Sequence, residues 1–311
     1  MVPLKLSVIV PFYNEVEILS TSIKRTLVAA EACSPDFEII LVDNRSDDGS
    51  TEIARSYAES DRRIKLIRFS RNFGPTVEGS IMAGLTHCSG EAAALIYSDM
   101  QDPPELLPEM YSKLHEGNHV VYGVQTGRKG ESLFNKSAAR FFYWTMAALS
   151  DSPINHRSGE FFLISRRVID VLLAMPESSR FTRGLIPWIG FDSVGIPYLR
   201  QARVGGKSKS KLSNVIPTAI NGVTGFSNTP LRALLYFSGF ITLTAFVALA
   251  ALLVFWLQGQ TVPGVTTAIA LGLLNLGISV GALGIVGEYI ARISSETKRR
   301  PLYVIDETYN F

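Results

Sequence analysis

The sequence predicts an α/β domain on a mainly parallel sheet, followed by an amphipathic helix at a membrane surface and two transmembrane helices. Three observations predict it. Short apolar runs alternate with helically spaced patterns up to about residue 123, polar residues cluster just after those runs, and residues 233–287 contain no Asp, Glu, Lys or Arg. That stretch is 55 residues long, so the 58 charged residues of the 311-residue chain fall in the other 256, about 23% of them. This is the charge density of an ordinary water-soluble domain. With 30 Lys and Arg against 28 Asp and Glu, the net charge of +2 supplies no global field for nucleic acid, which excludes a purely electrostatic DNA binder. The two cysteines, Cys33 and Cys88, build no disulfide framework.

The expected strands cover residues 7–12, 37–42, 64–69, 92–97 and 119–123. Runs this short and rich in Val, Ile and Leu fit strands buried on both faces. The first run contains Pro11 and has no small-residue cleavage pattern after it, so it is no secretory signal and the domain is expected in the cytosol. Between runs, Ile18, Leu19, Ile23 and Leu27 recur at helical spacing, and 104–114 repeats the pattern after Pro103. Such alternation means a layered α/β fold, whose ligands bind beyond the carboxyl ends of the strands. The polar clusters stand at those ends: Asn14 and Glu15, 43–48, 70–72 and 99–102. Four clusters at corresponding positions make one site.

After Asp192 comes a basic segment with Arg200, Arg203, Lys207, Lys209 and Lys211. Val215, Ile216, Ala219, Ile220, Val223 and Phe226 then form one helical face, expected to lie in the headgroup plane. Residues 233–257 and 262–287 are each long enough to cross a hydrocarbon core of roughly 30 Å at about 1.5 Å per residue. The turn between them is uncharged, whereas Arg232 precedes the first and Arg292, Lys298, Arg299 and Arg300 follow the second. The positive-inside rule then puts both termini, and with them the N-terminal domain, in the cytoplasm. Gly277, Gly281 and Asn275 suit packing of the two spans and homo-oligomerisation alike.

Asp99 and Gln101 follow a buried strand and precede Pro103 and Pro104. In extended geometry they point the same way and offer two oxygens to Mg²⁺ or Mn²⁺, which would take its other ligands from water and phosphates; helix capping explains the same cluster. Asp43 ends the second strand, where a carboxylate can accept a uracil imide N–H, and Asn44 can bond a carbonyl or ribose. Asp47, Asp48, Gly49 and Ser50 read as turn and helix-cap chemistry.

The segments SVIVPFYNE (7–15), VDNRSDDGST (42–51), SRNFG (70–74), MQDPPE (100–105), RFTRGLIPWIGFDSVGIPY (180–198) and GEYIARISSETKRRPLYV (287–304) resemble family-two glycosyltransferases with the GT-A (Rossmann-like) fold. More narrowly, they resemble polyprenyl-phosphate glycosyltransferases of the bactoprenol glucosyltransferase and dolichol-phosphate mannose synthase type. The resemblance runs over nearly the whole chain. It implies a cytosolic GT-A domain over 1–212, an interfacial region over 213–230, two spans within 231–290 and a cytosolic tail over 291–311. It implies sugar transfer from a nucleotide donor such as UDP-glucose to a polyprenyl phosphate. Pro11, Tyr13, Glu15, Asp43 and Asn44 would hold the nucleotide, and Asp99 and Gln101 the Mg²⁺ or Mn²⁺. Arg128, Arg180, Arg183, Arg203, Ser208 and Lys209 would meet phosphate groups, while Glu160 would orient the acceptor or a metal-bound water. Four positions depart from the family pattern: Tyr97 where a first Asp is usual, Glu160 and Phe162 where the family has Asp and Arg, and Gln125 where Arg is common.

The expected chemistry is one inverting displacement by the lipid phosphate, driven by positioning and charge stabilisation. A nucleotide-sugar-binding scaffold keeps the fold and removes the chemistry. A transporter would need ionisable groups in the spans, which the sequence lacks, and a processive synthase would be recognised by the length of its product.

Overall fold

The computed structural model describes residues 4–74, 77–128, 158–177, 180–201, 229–258 and 264–311. Five strands begin the sheet: β1 (Leu6–Phe12), β2 (Phe37–Asp43), β3 (Ile64–Phe69), β4 (Ala92–Leu95) and β5 (Val120–Arg128). Helices α1 (Leu19–Cys33), α2 (Ser50–Ser60), α3 (Glu78–His87) and α4 (Leu107–His115) lie between them, the last entered through a 3₁₀ turn over Pro104–Leu106. Then come β6 (Ser158–Ser165), α5 (Arg166–Ala174), α6 (Thr182–Ile189), β7 (Ser193–Arg200), the long helices α7 (Thr229–Leu257) and α8 (Gly264–Lys298), and β8 (Ile305–Tyr309).

The sheet order is β7-β5-β6-β4-β1-β2-β3-β8. Strands β4, β1, β2 and β3 are mutually parallel. β6 runs antiparallel between β4 and β5, and β7 is parallel to β5. β8 closes the far edge antiparallel to β3. The five expected strands form within a residue or two of their expected starts, and of the three further strands β6, inside the sheet, and β8, at its edge, run antiparallel and make it mixed. The carboxyl ends of β1 to β5 and β7 therefore share one edge, where β6 begins.

The core follows from strand alternation. Leu6, Val8 and Val10 of β1 join Phe37, Ile39 and Leu41 of β2 and the buried faces of α1 and α4. Ile9, Ile40 and Val42 point to the opposite layer with α3, α5 and α6. Each such side chain contributes about 1.5–3 kcal/mol on burial. Gly84 of α3 lets the helix approach β1: a Cβ there would stand 2.4 Å from Ile9 Cγ2.

Helices α7 and α8 are different. Tyr236, Phe240, Leu243 and Val247 on one, and Leu276, Val280, Leu283 and Ile290 on the other, are all more than half exposed. Among the described residues, the stretch Asn275–Lys298 is long and apolar enough to cross a membrane, with none of its apolar window buried. Of the expected interfacial region over 213–230, residues 213–228 lie outside the described residues and the last two begin α7 instead; Arg203, Ser208 and Lys209 also lie outside the described residues.

Candidate active site

Three loops at the shared edge each contain a non-glycine residue with left-handed backbone: Asn14 (φ 54°) after β1, Arg45 (φ 65°) after β2 and Met100 (φ 56°) after β4. Such residues persist where their surroundings fix them, and they cluster at functional sites. Here the surroundings are hydrogen bonds. Asn14 N–H donates to Ser46 Oγ (3.0 Å), Glu15 N–H to Ser50 Oγ (2.9 Å) and Val16 N–H to Asp48 Oδ2 (3.1 Å). Asn14 Nδ2 also donates to Asp47 Oδ1 (2.6 Å), while the Asp47 amide returns a bond to Asn14 Oδ1 (2.9 Å). The first two loops thus form one wall.

Asp43 organises that wall from within. Its carboxylate has no exposed surface. Oδ1 accepts from the Ser46 amide (2.8 Å) and hydroxyl (2.7 Å), and Oδ2 from the Thr51 hydroxyl (2.7 Å). Arg68 Nε lies 3.8 Å from Oδ2. Oδ1 is thus engaged by the loop and Oδ2 by the start of α2. Asn44 joins the loop after β3: its Oδ1 accepts from the Phe73 amide (3.0 Å), and its Nδ2 points to Asn72 Oδ1 and Gly74 O, each at 3.3 Å. Asp48 starts α2 by accepting from the Ser50 amide at 3.0 Å, after Gly49 at φ 96°. Burial pushes the Asp48 carboxyl up, and the Ser50 hydroxyl with the Val16 and Ser50 amides more than reverses this, leaving it below its ordinary range. Pro11 is buried near the end of β1, with Tyr13 half-buried and Glu15 buried just beyond it.

The Asp99 loop is a tight turn, not an extended strand. β4 ends at Leu95, Met100 N–H donates to Tyr97 O (3.4 Å) and Gln101 N–H to Asp99 Oδ1 (3.2 Å). The left-handed Met100 removes the two-residue alternation by which Asp99 and Gln101 were expected to share a face. Both are half-buried. Asp102, Tyr198, Arg200 and Gln125 fasten this loop to the sheet. The Tyr198 hydroxyl donates to buried Asp102 Oδ1, Arg200 Nε lies 3.4 Å from the same oxygen, and the Gln201 amide donates to Gln101 O (3.1 Å). Burial, then the Asp102 charge, push the Tyr198 hydroxyl well up; a hydrogen bond from Gln125 opposes them. Gln125 faces Tyr198 in the β5–β7 register, so the residue that departs from the family pattern serves the sheet. Tyr97 and Phe162, two of the other departures, pack into the apolar layer with α3, α5 and α6.

Arg180, expected at a phosphate, has another task. Its Nε donates to Glu177 O (3.0 Å), Nη1 to Leu172 O (2.8 Å) and Nη2 to Met175 O. It caps the carboxyl end of α5, and burial pushes its guanidinium below the ordinary range. Arg183 sits half-buried on α6, whose start is held by Glu78 accepting from the Thr182 amide (3.0 Å). Arg128 ends β5 and Glu160 lies near the start of β6, both at the site edge; their side chains are outside the described set. Among the described residues no three His, Cys, Asp or Glu side chains gather as a metal cage.

Sequence reasoning missed Arg68, and it gave Asp102, Tyr198 and Arg200, though each lies in a segment it singled out, no part in holding the loop. A charge inside the apolar β3 run IKLIRF was the available signal for the first, since a buried charge calls for a partner.

A family model described as glycosyl transferase family 2 matches residues 7–173. The uncharacterized glycosyltransferase YkcC of Bacillus subtilis (strain 168) is 37% identical over 304 residues, 97% of this chain and 94% of that one. The SfII prophage-derived bactoprenol glucosyl transferase of Shigella flexneri is 31% identical over 307 residues, 98% of this chain and 99% of that one. Among solved structures, mannosyl-3-phosphoglycerate synthase from Rubrobacter xylanophilus superposes with a TM-score of 0.49 at 16% identity, covering 71% of this chain and 72% of that one.

Proposed function

The chain belongs to glycosyl transferase family 2, and from that premise we propose that it transfers glucose from UDP-glucose to a polyprenyl phosphate at the cytoplasmic face of a membrane. The observation that carries this reading is the joining, in one chain, of a polar rim at the carboxyl ends of β1 to β4 with an apolar helix whose side chains face outward. The bactoprenol glucosyl transferase likeness supplies the acceptor class.

In this reading the loops after β1 and β2 cradle the nucleoside. Pro11, Tyr13 and Glu15 line it, Asn44 meets base or ribose, and Asp43 acts by shaping the loop. The donor set fits a hard divalent cation: Asp99 is a half-exposed carboxylate with one oxygen engaged by Gln101 N–H, and a carboxylate offers about four lone-pair sites. Asp99 and Gln101 would hold Mg²⁺ or Mn²⁺, which when bound offsets charge on the leaving diphosphate. A lipid phosphate oxygen attacks the anomeric carbon while the bond to the nucleoside diphosphate breaks, inverting the centre. The phosphate monoester is largely dianionic at pH 7 and needs little general-base help, so orientation dominates. Arg128, Arg183, Arg203, Ser208 and Lys209 are assigned to phosphate, and Glu160 to the acceptor or a metal-bound water.

The domain boundaries we propose are 1–212, 213–230, 231–290 and 291–311, with α7 and α8 both spanning. At about 1.5 Å per residue, their 29 and 35 residues extend about 44 and 52 Å against a core of roughly 30 Å. A cysteine at Gly259 is expected to react with an impermeant thiol reagent in intact cells, and labelling confined to the C-terminus would overturn the orientation. For the reaction, membranes holding the chain and polyprenyl phosphate are given radiolabelled UDP-glucose, UDP-galactose, UDP-N-acetylglucosamine or GDP-mannose. Labelled lipid from UDP-glucose, lost in EDTA, is the expected result. Label from GDP-mannose alone would overturn the donor, and label that never enters lipid would overturn the acceptor.

A further inference from the structure

The segment after α8 returns to the catalytic domain and pairs with it closely. Tyr303 stacks on Phe69 with ring centroids 5.2 Å apart, Ser70 N–H donates to Val304 O (2.9 Å), and β8 pairs with β3. Beyond β8, Asn310 Nδ2 donates to Ile64 O (2.8 Å), and the Phe311 ring takes Lys65 Nζ 4.9 Å from its centroid. The strand is therefore fastened at both ends by contacts that involve neither of its carboxylates.

Those carboxylates reach toward the site instead. Asp306 Oδ2 lies 2.7 Å from Arg45 Nη1, at the left-handed residue of the loop after β2. Glu307 Oε1 lies 3.2 Å from Arg68 Nη1, and Glu307 Oε2 lies 2.8 Å from Arg55 Nη2. Arg68, only 18% exposed, has its Nε 3.8 Å from Asp43 Oδ2. A chain of charges thus runs from Glu307 through Arg68 to the carboxylate that shapes the loop. A second runs from Asp306 to Arg45 within that loop. Exposed pairs taken singly are weak, but here they bear on a backbone conformation that its surroundings must hold.

We propose that Asp306 and Glu307 are positioning residues for the donor nucleotide. Through Arg45 and Arg68 they fix the loop after β2, so that nucleotide affinity depends on the strand laid down at the end of the apolar helix. The inference rests on the reading of that loop as part of the donor site. It makes the segment after α8 part of the catalytic unit rather than a tail.

The test uses the full chain in detergent and the double variant Asp306→Asn with Glu307→Gln, which keeps size and the apolar anchors. Hydrogen exchange is followed without nucleotide, UDP affinity with Mn²⁺ by calorimetry, and turnover against each substrate. Amides of 45–48 are expected to exchange about tenfold faster in the variant while β1 and β8 amides stay as in the parent. The UDP dissociation constant and donor KM should rise about fivefold, with kcat and acceptor KM unchanged. The conservative exchange Asp306→Glu should restore most of the loop protection lost in Asp306→Asn. Unchanged loop exchange, or equal rises in both KM values, would overturn the proposal. A parent chain that binds no UDP, beside a variant whose loop exchanges faster, would overturn the donor-site reading and keep the tie between strand and loop.

Discussion

Removing the Asp43 carboxylate separates two roles that one residue can play. In Asp43→Ala the Ser46 amide, the Ser46 hydroxyl and the Thr51 hydroxyl lose their acceptor at 2.7–2.8 Å. Hydrogen bonds to a charged group contribute about 1.5–3 kcal/mol each, and breaking one side of a buried charged network costs about 3–5 kcal/mol. The hydroxyls can turn to other acceptors, but the amide cannot, so about 4 kcal/mol is expected. That is a large fraction of the roughly 5–15 kcal/mol that holds a domain folded. Asp43→Asn keeps the shape. Its carbonyl can serve Ser46 and its amide can donate to Thr51, so the loss reduces to the charge facing Arg68, about 1–2 kcal/mol. Denaturant unfolding in detergent reads the stabilities, and calorimetry with UDP reads affinity. The expected order of stability is parent, Asn, Ala, with affinity falling in the same order. Parental stability in both variants, together with lost UDP affinity, would refute the reasoning and make Asp43 a direct contact of the base.

Asp99→Ala is expected to abolish transfer in the labelled-lipid assay while changing the unfolding midpoint little, because the residue is half-exposed with one local hydrogen bond. Arg180→Ala should lower stability by about 1–3 kcal/mol by stranding three carbonyls at the end of α5, and should leave the acceptor KM of the folded enzyme unchanged; a selective rise in that KM would return Arg180 to the phosphate. Glu38 is buried, which raises its carboxyl pKa, but Lys65 at 2.7 Å together with Ser7 and Ser89 brings it below its ordinary range. A lowered folded pKa means stability present above the unfolded value, about 4.3, and lost as pH falls through the folded one. The parent's advantage over Glu38→Gln in urea unfolding is therefore expected in full at pH 6 and should shrink below pH 4.

The parallel half of the sheet was legible because its strands are short apolar runs buried on both faces, as in FEIILVD of β2. β7 and β8 were not. SVGIPYLR carries Gly and Pro, and IDETY alternates exposed and half-buried positions at an edge, so neither shows a continuous run. The site was legible as four polar clusters, since loops after parallel strands converge whatever their detail. Its wiring was not: the turn at Met100 is fastened through Asp102 to Tyr198, 96 residues further on, and the loops after β1 and β2 are joined by pairs about 30 residues apart, as between Asn14 and Ser46. Arg180 misled because a cation's partner cannot be read from its neighbours when the partners are backbone carbonyls.

The pairing of β3 with β8 has a consequence in time. Arg68 and Glu307 are 239 residues apart, so at about 5–20 residues per second the ribosome makes the second strand roughly 12–48 s after the first. During that interval β3 presents unpaired amides and carbonyls at the margin of an otherwise assembled sheet, the kind of edge on which chains associate wrongly. Both long apolar helices emerge in the same interval. With both helices spanning as proposed, a nascent chain has to settle its hydrophobic segments before its catalytic sheet can close, and faults in insertion should surface first as aggregation along β3.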